Sequence, residues 1–140
     1  VRVCVCVCVG VWVCGVCAVS TGEAVDKLTI LSIKNEKIKD TSKLYNIRKE
    51  SRILSTAVER AMGAEWLNST LFHELISVNR QLWNVEDDVR RCEADKDFGA
   101  QFVQLARSVY RLNDERGRIK REISRLSSSG IVEEKFYANY

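Results

Sequence analysis

Arg116 has the strongest claim to chemistry in this sequence, because it stands where the surrounding pattern asks for an aliphatic side chain. A guanidinium in such a place must be paired or must reach water, since a buried unpaired charge is very costly. Folding the chain back about Asp97 sets Arg116 opposite Val78 and Asn79. Asn79, or a carboxylate far upstream such as Glu23 or Asp26, is then the candidate partner. Asn79, Glu86, Asn113 and Arg116, with Glu23 and Asp26, make up a candidate site for an anionic or polar small ligand. The simpler reading of the same residues is a polar contact that fixes helix register.

Other chemistries find little support. His73 is the single histidine, and no serine, cysteine or carboxylate stands at nucleophile–base spacing from it. The Glu-x-x-His spacing of di-iron bundles is absent, as is a glycine-rich phosphate loop. No catalytic residue, metal ligand or cofactor is therefore assigned. Arg107, Arg111, Arg118, Arg121 and Arg125 fall within roughly 40° of one line at about 100° per residue. Such a stripe could follow a phosphate backbone. It lacks interleaved aromatics, and Asp114 and Glu122 dilute it, so a solvated face with intrahelical ion pairs is preferred. Asn68-Ser69-Thr70 is a glycosylation sequon, but a helix cap is the plainer reading.

The first nineteen residues, VRVCVCVCVGVWVCGVCAV, hold five of the six cysteines. Metal binding through Cys4, Cys6, Cys8, Cys14 and Cys17 lacks any turn to gather the thiolates. A signal segment and a β-strand are further readings. The preferred one is a translated GT-repeat, read as Val-Cys-Val-Cys and foreign to the domain. Residues 20–140 are then the folded unit, 1–19 low complexity. Cysteine usage says little about compartment, but Cys92 alone belongs to the body, which argues for a reduced, disulfide-free fold; the protein is expected to be cytoplasmic.

The elements that must position the polar residues are helices. There is no proline, and no glycine between Gly22 and Gly63 or between Gly63 and Gly99, and both residue types weaken helix interiors. Ser20-x-x-Glu23 has capping-box spacing for a first helix ending near Ile38. Asp40 or Thr41 caps a second, closed by Gly63. Asn68, Ser69 or Thr70 caps a third, with Leu71, Leu75, Val78, Leu82, Val85, Val89 and Cys92 stepping by 4, 3, 4, 3, 4, 3. A fourth repeats the heptad with Phe102, Leu105, Val109, Leu112, Arg116, Ile119, Ile123 and Leu126. Fourteen of these fifteen seam positions are apolar, the signature of helices packed along a seam. The short link from Ala94 to Gly99 makes the pair antiparallel. Phe72, Ile76 and Trp83 on its flank should meet the first two helices. The expected fold is all-α: an antiparallel four-helix bundle with a long coiled-coil-like hairpin. An intermolecular coiled coil would use the same seam. Ile131, Phe136 and Tyr137 are expected to fold back onto the bundle.

Leaving out Arg2, 21 basic minus 19 acidic residues gives +2. That is too near neutral to imply bulk attraction to nucleic acid or a membrane. No membrane role is expected unless the Val/Cys segment is real.

Several blocks resemble a family of small bacterial proteins classed as a domain of unknown function. They are VSTGEAVDK at 19–27 with the following LTILSIKNEKI, VNRQLWNVEDD at 78–88, ARSVYRLNDERGRIKREI at 106–123 and VEEKFYANY at 132–140. The resemblance implies an all-helical soluble protein and supplies no activity. Its signature positions would be Glu23, Asp26, Lys27, Asn79, Trp83, Glu86, Arg107, Tyr110, Asn113, Asp114, Arg116, Glu133, Glu134 and Lys135. The function expected is a non-enzymatic helical interaction or scaffold module, acting on an unknown protein partner or on itself. The alternative is a small anionic-ligand-binding protein or minor enzyme using the polar cluster around Asn79 and Arg116.

Overall fold

The computed structural model describes residues 18–134; the five N-terminal cysteines, Lys135, Phe136 and Tyr137 lie outside them. Four α-helices follow in order: α1 Thr21–Lys37, α2 Thr41–Met62, α3 Thr70–Asp95 and α4 Ala100–Leu126. A short 3₁₀ turn, Ala64–Asn68, joins α2 to α3. No strand occurs among the described residues, and no helix there is long and apolar enough to cross a membrane.

The helix ends are set by local chemistry. Ser20 Oγ accepts from Glu23 N (3.2 Å), occupying one of the free N–H groups of the first turn. The Glu23 carboxylate does not complete the capping box but turns away to another helix. Asp40 Oδ1 accepts from Ser42 N and Lys43 N, and those bonds, with that of the Ser42 hydroxyl first, hold its carboxyl below the usual range. Gly63 ends α2 at φ 92°, a left-handed conformation that favours glycine. Ser69 Oγ caps α3 through Phe72 N (3.3 Å), so the sequon's serine serves as a cap.

The helices pack as a bundle with α1 at its centre, since α1 alone touches each of the other three. The core gathers Val25, Leu28 and Leu31 of α1, Ile47, Leu54 and Val58 of α2, Leu75, Val78 and Leu82 of α3, and Ile119 and Ile123 of α4. Phe72 packs against this core, and Trp83 lies under the Lys37 ammonium at 5.7 Å, so both flank residues meet α1 or α2 as the pattern requires.

The seam is unevenly buried. The core stops at Leu82 on α3 and reaches only Leu112 on α4. The last side-chain tie from α1 to α3 is Lys37 Nζ to Asn84 Oδ1 (3.0 Å). Seventeen residues at about 1.5 Å each make α1 roughly 25 Å long, against about 40 Å for α3 or α4. The far part of α3 and α4 thus extends past α1 as a two-helix arm. Leu126, at the other end of the seam, is 54% exposed. The segment after Gly130 does return to the bundle, but through the Glu133–Lys120 ion pair, and Ile131 is left 39% exposed.

Candidate functional site

Asp26 is the centre of the polar cluster. It lies on the inner face of α1 and is 1% exposed. Its Oδ1 accepts from Asn79 Nδ2 (2.9 Å) and Arg116 Nε (2.8 Å), and its Oδ2 accepts from an Arg116 terminal nitrogen (2.5 Å). Thr29, one turn on, donates its hydroxyl to the Asp26 carbonyl (2.7 Å) and accepts from the Asn79 amide (2.8 Å). Both protons of that amide are used. Arg116 also reaches Asn113 Oδ1 (3.4 Å), whose own amide donates to the Val109 carbonyl (3.0 Å). The hydrogen bonds that Arg116 donates to Asp26 raise its pKa above the ordinary value, outweighing burial. Arg116 is cationic at every accessible pH.

Lys120, one turn beyond the half-buried Arg116, is a buried cation with a side chain 7% exposed. Burial alone would lower its pKa, but Glu133 (2.7 Å) and Glu23 (2.6 Å) flank the ammonium and the net shift is upward. Glu133 also adds to the field at Arg116. This charged contact fastens the residues after Gly130 to the bundle.

Close approach of α1 to α4 makes these contacts possible. A Cβ on Gly22 would run into the Lys120 carbonyl and stand 2.8 Å from Ser124 Oγ. Hydroxyls of α4 and the turn after it serve the first turn of α1: Gly22 N donates to Ser124 Oγ (3.1 Å) and Thr21 N to Ser129 Oγ (3.4 Å). Free N–H groups at a helix start are a common anion site, but here they are already satisfied.

Five of the six residues singled out in the sequence are joined by this network: Asp26, Asn79, Asn113 and Arg116 directly, and Glu23 through Lys120. Glu86 stands elsewhere, paired with Arg90 (3.2 Å) on the exposed side of α3. Lys120 and Thr29 went unremarked. Lys120 sits about 40° around the helix from Arg116, which was the available signal.

On the outer face of α4 the local ion pairs centre on Arg118. Arg118 bridges Glu115 (2.7 Å) and Glu122 (3.1 Å) and approaches Glu74 (3.9 Å). Glu115 is held below the usual carboxylate range by its bonds to Arg118. Arg107 hydrogen-bonds the Tyr110 phenol and lowers its pKa, with Arg111 adding to the effect.

The cluster can orient and hold, but it has no nucleophile beside a base. Among the described residues no three metal-ligating side chains converge. Thr21 Oγ1 is the one buried side-chain atom there without a partner. Three carboxylates (Glu23, Asp26, Glu133) face two cations (Arg116, Lys120), so the site carries a negative excess.

A model of the family described as "Family of unknown function (DUF6165)" matches residues 16–140, a span that includes every helix above. No curated protein and no solved structure matches the chain. The chain belongs to that family.

Proposed function

We propose that this chain is a non-enzymatic helical interaction module whose working surface is the projecting arm of α3 and α4. One observation carries the reading: the arm extends past α1 with large apolar side chains in water, Phe98 at 51%, Val103 at 49% and Tyr110 at 36% exposure. Scattered exposed apolar residues are ordinary. A two-helix arm that leaves part of its seam half-exposed is not, because an isolated hairpin is marginal without a third packed surface.

The occupant is a second copy of the chain, held in an antiparallel, coiled-coil-like four-helix contact. Charge supports this. Residues 86–97 of α3 and the turn after it hold six carboxylates and three cations, whereas residues 98–113 hold Arg107 and Arg111 and no carboxylate. A two-fold axis sets the α3 edge of one copy against the α4 edge of the other. The antiparallel run of α3 against α4 is supported by their short link and by the contacts each makes with α1. Along α1, Gly22, Glu23 and Asp26 meet Ser124, Lys120 and Arg116 in falling order, while Asp26 and Lys37 meet Asn79 and Asn84 in rising order. We place the protein in the cytoplasm, where a buried free thiol such as Cys92 stays reduced.

Sedimentation of the full chain, with reductant present, tests the reading. The expected mass is twice the 16.0 kDa of one chain, and Val103→Asp should return it to one chain without lowering helicity. A single-chain mass at high micromolar concentration would overturn it. The alternative, an anionic ligand at Arg116, is disfavoured by the negative excess of the cluster.

A further inference from the structure

A groove of about 490 Å³ lies between α1, α2 and the start of α3. Its volume falls within the range of about 300–1,000 Å³ typical of small-molecule sites. The floor is apolar: Leu28 and Ile47 come from the buried core, and Leu67 and Phe72 lean in from the 3₁₀ turn and α3. The rim carries Arg48 and Arg52, with the hydroxyls of Ser51 and Ser55 between and beside them.

Arg80, Arg90, Arg91 and Arg118 each have a carboxylate partner. Among the described residues, no carboxylate pairs with Arg48 or Arg52, and the groove lining contains no acidic residue. Carboxylate partners are lacking for Arg60, Arg121 and Arg125 among the described residues as well, but Arg48 and Arg52 stand together on one groove. Arg48 Nε is held by Asn35 Oδ1 (3.0 Å), which fixes the guanidinium while leaving its terminal nitrogens free of that contact. Like charges four residues apart on a helix repel. An anion seated between them would turn that repulsion into two charge-assisted hydrogen bonds.

We propose that this groove binds an acyl chain ending in a negatively charged group, the chain on Leu28, Ile47, Leu67 and Phe72 and the head between Arg48 and Arg52. The site is separate from the α3–α4 arm and does not depend on self-association. The chemistry is shared by a free fatty acid and by an anionic lipid in a bilayer.

The test titrates the full chain, with reductant, with monomeric dodecanoate and with dodecyltrimethylammonium, and in parallel sediments it with phosphatidylglycerol vesicles. Dodecanoate should bind saturably, one per chain, with the ammonium analogue at least about tenfold weaker, the effect of one charge-assisted bond. Arg52→Ala should weaken dodecanoate about tenfold at an unchanged melting temperature. Ser55→Trp, which fills the groove from the rim without removing core atoms, should abolish it. Vesicle binding that depends on Arg52, without dodecanoate binding, would assign the site to a bilayer lipid. Binding to neither, equal binding of both head charges, or binding indifferent to Arg52→Ala and Ser55→Trp would overturn the proposal.

Discussion

Arg116 and Asp26 lie 90 residues apart in sequence and share two hydrogen bonds across the contact between α4 and α1. The carboxylate is the buried partner and the guanidinium reaches partly to water, with side-chain exposures of 1% and 26%. Removing the arginine therefore strands a charge with no way out. Arg116→Leu should cost about 3 kcal/mol, and the Asp26→Leu/Arg116→Leu pair should recover much of it, since breaking a buried pair costs more than replacing it by apolar residues. Urea unfolding of both single variants and the double measures the coupling. Strictly additive losses would mean that Asp26 finds another cation.

Gly22 sets how closely α1 lies on α4. Gly22→Ala pushes a methyl group into the Lys120 carbonyl and toward Ser124, and should cost about 1–3 kcal/mol by overpacking. Gly130→Ala, where an added Cβ meets nothing within 4 Å, is the control. Thermal melts should separate the two by several degrees.

Lys120 makes stability depend on alkaline pH. Its pKa is raised in the folded state from the ordinary 10.5, so the folded chain holds that proton more tightly than the unfolded one. The contribution is fully present below the unfolded value and is lost as pH rises through the folded value. The stability difference between wild type and Lys120→Met should stay level up to about pH 10 and shrink above it. Urea midpoints across that span are the measurement, and a difference that grows with pH would contradict the sign.

Tyr110 should titrate below an ordinary phenol, because Arg107 and then Arg111 favour its anion. Arg107→Ala should move that titration back toward 10.0, read by phenolate absorbance against a Tyr110→Phe blank. An unmoved curve would assign the shift elsewhere.

The heptads and caps were legible because their chemistry is local. Ser20, Asp40, Gly63 and Ser69 each act within four residues of themselves. Arg116 was legible for the opposite reason: a cation in an apolar row demands a distant anion, and Asp26 and Glu23 were two such anions on the first helix. Periodicity tells which face of a helix is apolar, not how far along that face a neighbour extends. Leu126, with one side of its seam uncovered, could not be told from Ile123, which is fully buried. Glu86 follows the same rule, since it stands just past Asn84, where α1 ends its contact with α3. Ile131 stayed in water because the Glu133–Lys120 pair fixes the path of the segment instead. Lys120 itself carries no sign of burial in the sequence, since nothing in its own neighbourhood reports that Gly22 lets another backbone come so close.

The separation of Asp26 from Arg116 also bears on how the protein is made. On a ribosome adding about 5–20 residues per second, 90 residues take roughly 5–18 s. Throughout that interval the Asp26 carboxylate on the inner face of α1 is without Arg116, its native partner. The nascent helix can rest on α2, but it cannot bury that face until α4 emerges, so the bundle closes last around the first of its four helices.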